Sequence, residues 1–297
     1  MLFGGFGEAG VSGHLICVDL NNLIWHHALE ESGEVQARTG ATMIAHKNRL
    51  FIFGGRDSLD DDATIFRSFS IATLDADGWK WTVSDRALPP NVPNLGYLMR
   101  ATLVYGGKKI LLTEGNVTSK KKSIRLSAST TFLFHTQHYT FEDASFTRGV
   151  FPHGLAWHRI GYITAPPPTA VQEPQPGPRP AKRPRLLGYE AEEPFPPSAI
   201  IVGWVKHAGD NLSPEIWQYM LPPTQSIVCL ELKEKVYRLD LDLEDFAVVG
   251  NRMILLGNSG KKTSLPEPED EEAAGSWKRW DVAVEISFAE LKHGENV

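Results

Sequence analysis

The sequence predicts an all-β protein built from repeated four-stranded sheets, and three observations support this prediction. A strand that ends in a glycine pair occurs at residues 2–5 (LFGG) and again at residues 49–55 (RLFIFGG). Each copy is followed by another strand and then by one that carries tryptophan, around Trp25 and Trp81. The chain also contains 26 glycines and 20 prolines, which indicate many turns. Self-similarity at a period of about fifty residues is typical of an array of small sheets.

The unit at residues 38–83 shows the repeat most completely. Its predicted strands are RTGATMIAHKN, RLFIFGG, SFSIATLD and a fourth that carries Trp79 or Trp81. Gly54 and Gly55 allow backbone conformations that other residues avoid, where the second strand must turn tightly. We expect the tryptophan to fill the space between neighbouring sheets, where a large apolar body is needed.

These matched positions resemble a kelch repeat, and the resemblance extends to the first unit through Gly4, Gly5 and Trp25. It implies a kelch-type β-propeller of the galactose oxidase and kelch-like superfamily, with about five to six four-stranded blades. The first unit begins at its second strand and so lacks an inner strand, which leaves two alternatives for the closure of the ring. Either a strand near the C-terminus (WDVAVEISFAEL) supplies the inner strand, or the chain is a fragment of a longer adaptor protein.

Later units keep the pattern less fully. The third, at residues 98–146, has KKILLTEG, in which Gly115 remains of the glycine pair, and carries Tyr139 where a tryptophan would stand. The fourth begins with GLAWHRIGYIT, is interrupted, and resumes with SAIIVGWVKH and EIWQYMLP. Residues 225–291 contain further strand-like segments, namely SIVCLEL, KVYRLDLDL, DFAVVGN, RMILLG and WDVAVEISF. The whole chain, residues 1–297, is thus predicted to form a single propeller.

Two segments lack the composition of a folded core. Residues 166–197 hold eleven of the twenty prolines and are predicted to form a disordered insertion. Residues 261–275 (KKTSLPEPEDEEAAG) form a second, acidic loop. The insertion contains a basic cluster that matches a monopartite nuclear import signal, so the expected location is cytoplasmic, nuclear or both. The cluster consists of Lys182, Arg183, Pro184 and Arg185.

Long polar loops are the candidate functional sites. We expect the loops that join the second strand to the third to emerge on one face in every unit, the proline-rich insertion included. Loops on a rigid scaffold often carry function, and segregated charge would steer a charged protein partner. The plainer interpretation, that these loops are merely solvated, stays open. One loop is acidic and another is basic, and their charged members are Asp57, Asp60, Asp61 and Asp62, and Lys120, Lys121, Lys122 and Arg125.

Composition and motifs argue against several other classes of protein. The net charge of −6 and the isoelectric point of about 5.9 disfavour a nucleic-acid binder. The two cysteines, Cys17 and Cys229, indicate a reducing compartment rather than a disulfide framework. No apolar run reaches the roughly 18 residues of a membrane helix. Gly5, Gly7 and Gly10 spell a dinucleotide-binding fingerprint, but the segment VSGHLICVDL after them is typical of a strand, whereas the fingerprint requires a helix.

The sequence motifs contain no recognisable catalytic constellation. A galactose-oxidase-like copper site needs a cysteine cross-linked to a tyrosine and a pair of histidine ligands. His26 and His27 are adjacent in a predicted strand and therefore face opposite sides, as do His135 and His138 if their strand is continuous. The expected function is a non-enzymatic protein-interaction scaffold or adaptor without a cofactor, and the resemblance suggests a ubiquitin-ligase component. The alternative is an oxidase or hydrolase with its site at the central channel of a propeller.

Overall fold

In the described part of the chain the structure is almost entirely β-sheet. Over the described residues, a computed structural model defines twenty strands in six sheets, none closed on itself, and one 3-10 turn at Tyr105–Gly107. The predicted all-β class is confirmed. Two compact units are present, residues 1–161 with 199–231 and residues 162–198 with 232–297. The described residues are 1–29, 33–92, 96, 99–113, 131–145, 156–163, 198–206, 212–229, 241–249, 252–259 and 282–287.

The first five strands form one three-stranded sheet and one small hairpin. They are β1 (Leu2–Phe3), β2 (Phe6–Gly7), β3 (Gly10–Val11), β4 (Leu15–Asp19) and β5 (Ile24–Leu29). The sheet has the order β1-β4-β5, and β2 pairs with β3. The glycine pair follows β1 directly. Among the described residues, the first sheet therefore begins at the strand that carries the glycine pair and has no strand before it.

The second sheet has four strands in sequence order. They are β6 (Thr42–His46), β7 (Arg49–Phe53), β8 (Ser68–Asp75) and β9 (Gly78–Ala87). They coincide with the four segments that the repeat predicts, and β8 spans SFSIATLD in full. Residues 50–53 of β7 are all buried, whereas a sheet with one wet face buries only alternate residues. Both faces of this sheet are therefore covered.

The third and fourth sheets repeat this plan. The third consists of β10 (Arg100–Val104), β11 (Lys109–Thr113), β12 (Thr131–His135) and β13 (Phe141–Asp143). The fourth consists of β14 (Ala156–Ile163), β15 (Ser198–Lys206), β16 (Leu212–Met220) and β17 (Ser226–Cys229). SIVC, at the start of the predicted strand SIVCLEL, thus closes the fourth sheet. The turn before it is short enough to pair Met220 with Ser226 in a hairpin.

Alternate side chains of β7 enter two different apolar cores. On one face Leu50 packs with Leu15 of the first sheet. On the other face Phe51 and Phe53 pack with Phe134 of the third sheet, at ring-centre distances of 5.8 and 5.1 Å. The second sheet is thus held between its neighbours in sequence, as the period-2 alternation of a strand requires.

The second compact unit contains one described sheet. Its strands are β18 (Leu241–Val249), β19 (Arg252–Ser259) and β20 (Val282–Ser287). β18 is one strand with a register irregularity between Leu243 and Asp245, so the division of LDLDL from DFAVVGN into two strands is wrong. β20 pairs with β19. Among the described residues, the strand near the C-terminus therefore completes this sheet.

The proline-rich insertion, residues 166–197, leaves the fourth sheet between β14 and β15. It therefore joins a first strand to a second, and the prediction that it joins a second to a third is wrong. Successive connections in an antiparallel sheet alternate between its two ends. The insertion and the acidic loop at residues 56–63 therefore do not join equivalent strands, and the argument that places both on one face no longer applies. The insertion itself lies outside the described residues, together with Lys182, Arg183, Pro184 and Arg185.

Candidate interaction site

The glycine pairs at residues 4–5 and 54–55 mark the places where the chain entering the next sheet crosses the end of the preceding sheet. Gly4 and Gly54 have φ of +68° and +60°. A Cβ atom on Gly4 would come closer than 3.0 Å to the carbonyl oxygen of Arg38, and one on Gly54 would do the same to that of Gly96. The Gly5 N–H donates to the Arg38 carbonyl at 3.0 Å. The pairs are therefore required by a neighbouring backbone as well as by a tight turn.

Arg38 continues from this crossing into the second sheet with a fully buried side chain. Its Nη1 donates to the carbonyl of Gly54 at 3.1 Å, and its Nε donates to that of Gln36 at 3.1 Å. Its Nη2 forms an ion pair with Asp85, and the guanidinium carbon lies 4.4 Å from the centre of the Phe66 ring. Burial lowers the pKa of Arg38, and the Asp85 carboxylate opposes that shift. A buried cation is stable only with such partners.

Asp85 ties this ion pair to β8 and to the linker between the first two sheets. One carboxylate oxygen accepts from Ser70 Oγ at 3.0 Å, and the other accepts from the Gln36 N–H at 2.7 Å. The Asp85 N–H donates in turn to Ser70 Oγ at 3.0 Å. Sequence reasoning missed both Arg38 and Asp85, because partners 47 positions apart leave no local pattern.

The acidic loop leaves β7 beside the same linker. Arg56 and Thr39 exchange two backbone hydrogen bonds of 2.9 Å. The Thr64 N–H donates to Asp57 Oδ1 at 2.8 Å, and the Asp57 N–H donates to the Thr64 carbonyl at 3.1 Å. These bonds fix the base of the loop, so its tip is presented from a rigid position. The loop carries four exposed carboxylates, from Asp57, Asp60, Asp61 and Asp62.

A groove of about 660 Å³ lies between this loop and the linker. Val11, Gly33 and residues 35–37 form one wall, and Asp57 and residues 64–67 form the other. Ligand sites in proteins are typically concave spaces of roughly 300–1,000 Å³. The groove therefore has room for one or a few side chains of a bound polypeptide.

The acidic loop beside the groove carries an excess of negative charge. Arg67 lies on this wall, but its Nη2 donates to the carbonyls of Pro89 at 3.0 Å and Pro90 at 3.3 Å. Those bonds hold its guanidinium to the segment beyond β9. Within the loop, Arg56 stands against four exposed aspartates, of which Asp57 lines the groove, so the loop favours a positively charged ligand.

The tryptophans of the first two repeats lie in different environments. Trp79 and Trp81 pack against the core between the first and second sheets, and the ring centre of Trp81 lies 5.6 Å from that of Phe3. Trp25 is 60% exposed, so the expectation that it fills a space between sheets is wrong for this residue. It stands opposite Val18, on the face of the first sheet that is turned away from the second.

Titratable side chains elsewhere make structural contacts. Lys109 Nζ lies 2.6 Å from Glu142 Oε2, and His135 Nε2 lies 3.1 Å from the same oxygen. The hydrogen bond from Lys109 lowers the pKa of Glu142, and the three residues link three adjacent strands of the third sheet. His26 and His27 lie side by side in β5. Across the part of the chain that the structure describes, no three His, Cys, Asp or Glu side chains are grouped so as to hold a metal ion.

Some of the predicted site positions lie outside the described residues. They are Gly115 and the basic loop residues Lys120, Lys121, Lys122 and Arg125.

Among the described residues, no helix has the length and apolar composition that a membrane span requires. Comparison with known proteins finds no family model and no curated protein that matches the chain.

Proposed function

We propose that the chain is a non-enzymatic protein-interaction module, a kelch-type propeller that binds a partner in the groove beside the acidic loop. The observation that carries this proposal is the groove of about 660 Å³ with four aspartates exposed along its loop. The loop base is fixed by backbone hydrogen bonds to the linker. Binding would therefore cost little ordering of the loop, which favours affinity.

Charge would set the selectivity of this site. A partner segment that brings lysine or arginine to the groove gains attraction from the loop carboxylates, whereas an acidic segment is repelled. Exposed charges act mainly on the association rate and are screened by salt. The proposed binding should therefore weaken as ionic strength rises.

A selection from a library of displayed random peptides tests the proposal. We expect enriched peptides to be basic, and Thr64→Trp, which places a bulky ring on the groove wall, to abolish their binding. The double variant Asp60→Asn/Asp61→Asn should weaken binding about three- to tenfold, mainly through the association rate. Failure to enrich any peptide that distinguishes the protein from the Thr64→Trp variant would contradict the proposed function.

The matched control for charge is Asp75→Asn/Asp77→Asn. These two aspartates lie at the turn between β8 and β9, at the opposite end of the same sheet from the acidic loop. The control makes the same change in net charge and should leave peptide binding unaltered. Equal weakening by the two double variants would mean that the overall charge of the protein, and not this loop, attracts the peptide.

The propeller part of the proposal has a separate test. It is supported by three consecutive sheets with the same sequential strand order and by the repeated glycine-pair crossing. Negative-stain electron microscopy should show a disc with a central hole. An elongated stack of sheets would contradict the propeller and leave the groove unaffected.

A further inference from the structure

The outer strand of the first sheet and the turn before it expose an unusual amount of apolar surface. In the described part of the chain, β5 is hydrogen-bonded to β4 alone. Ile24 is 59% exposed and Trp25 is 60% exposed. The turn that leads into β5 adds Leu20, at 83%, and Leu23, at 68%. Four neighbouring large apolar residues at one hairpin thus stand largely in water.

The equivalent outer strand of the second sheet is protected in a way that β5 is not. β9 exposes Lys80, Thr82, Ser84 and Arg86 at alternate positions. Charged residues on an edge strand prevent it from pairing with another chain. β5, with the sequence IWHHAL, contains no lysine, arginine, carboxylate or proline. Its backbone edge is therefore open to a further strand.

The exposed area is of the size that an interface uses. Large apolar side chains present roughly 150–250 Å² each, so the exposed fractions of these four residues leave on the order of 500 Å² in contact with water. Ile24 and Trp25 lie on opposite faces of β5, so this area surrounds the edge of the strand and is not one flat patch. The area exceeds half of the roughly 800 Å² that one partner buries in a standard interface, and the backbone edge of β5 would add to it.

We propose that β5 is a dimerisation edge, on which β5 of a second copy pairs antiparallel about a two-fold axis. Two identical strands related by such an axis run antiparallel, so β5 is its own complement and needs no matching sequence in another protein. The strand carries no formal charge from acidic or basic residues other than histidine, so the pairing brings no carboxylate or lysine against its own copy. The joined sheet then covers the open backbone edge of both copies, and the exposed side chains of β5 gain cross-strand neighbours.

Pairing of this kind goes beyond the proposed groove, which belongs to the second sheet. It would place two copies of the groove in one particle. A partner with two basic segments could then engage both, and its second contact would form at a high effective concentration. Dimerisation and groove binding are separable, because the residues that carry them do not overlap.

Light scattering and sedimentation over a range of concentrations test the dimer. We expect a species of twice the 33.0 kDa chain mass at high micromolar concentration. Trp25→Lys and Ile24→Lys should each raise the dimer dissociation constant at least tenfold. Leu59→Lys and Leu74→Lys are the matched controls, since these leucines are 44% and 40% exposed elsewhere on the protein. They should leave the dissociation constant unchanged.

Hydrogen exchange provides a second measurement that does not depend on any variant. Backbone amides of β5 should become protected as concentration rises, in parallel with the dimer population. A monomer with unprotected β5 amides at every concentration would overturn the proposal. A monomer with protected β5 amides would also overturn it, because another segment of the same chain would then cover the strand. Open-ended association, or equal effects of Trp25→Lys and Leu74→Lys, would exclude a specific two-fold contact.

Discussion

The first and second sheets share one motif but differ in how they are buried. Both end their glycine-pair strand with the same backbone crossing, by Arg38 in one case and Gly96 in the other. Among the described residues, the core between the first and second sheets has three buried apolar members, whereas the core between the second and third has eleven. The motif therefore encodes where the chain crosses from sheet to sheet. Stability comes from how many faces of a sheet are covered, which the motif does not encode.

The largest expected effect is at the junction itself. Arg38→Ala removes the buried cation of the ion pair and takes one donor away from Asp85 and another from the carbonyl of Gly54. We expect a loss of about 3 kcal/mol or more in the free energy of unfolding, measured by denaturant titration. Arg86→Ala, at an exposed position of β9, is the control and should cost less than about 1 kcal/mol. Similar losses in the two variants would mean that the junction does not hold the two sheets together.

The next largest effect is a loss of stability that should differ between the first and second sheets. Gly54→Ala and Gly4→Ala each drive a Cβ atom into a backbone carbonyl at a positive φ. We expect Gly54→Ala to cost about 3 kcal/mol in global stability, since the larger core must shift. Gly4→Ala should lower the melting temperature less and instead raise hydrogen exchange within the first sheet, because a sheet with few buried contacts can open locally. Equal melting temperatures for the two variants would mean that the two sheets contribute equally to global stability, which would contradict the comparison.

A smaller effect compares the tryptophans. Trp81→Ala removes a half-buried ring from the core between the first two sheets and should cost about 2 kcal/mol, less than a fully buried tryptophan. Trp25→Ala should change stability by no more than about 0.5 kcal/mol, as exposed substitutions usually do. Thermal melts at a concentration where the chain is monomeric provide the comparison. A large loss for Trp25→Ala would show that the exposed face of the first sheet is covered in solution.

The smallest effect is expected at Gly7. A Cβ atom on Gly7 would meet nothing within 4 Å, and its φ lies outside the left-handed region. Gly7→Ala should therefore change the free energy of unfolding by no more than about 0.5 kcal/mol and leave the thermal melt essentially unaltered. It should also leave titrations with NADH flat, as for the unaltered protein. Saturable NADH binding that disappears on this substitution would revive the dinucleotide-binding interpretation of the opening glycines.

Sequence reasoning located the strands of the second sheet because period-2 alternation and the glycine pair are local signals. It could not locate the ion pair of Arg38 and Asp85, since their contact depends on the folded path of the linker. It also treated Trp25 and Trp81 alike, because a shared repeat position says nothing about whether a neighbouring sheet is present. The groove depended on the same linker, so only the aspartates on its loop could be named in advance.

The crossing at the glycine pairs bears on the order in which the protein is made. The carbonyls of Arg38 and Gly96 belong to the chain that leads into the following sheet. On the ribosome, the turn at Gly4 must wait until Arg38 has emerged, a delay of a few seconds at roughly 5–20 residues per second. The first and second sheets are thus each locked by the chain that follows them. A nascent chain stalled between two sheets would leave its most recent one unlocked and open to chaperones.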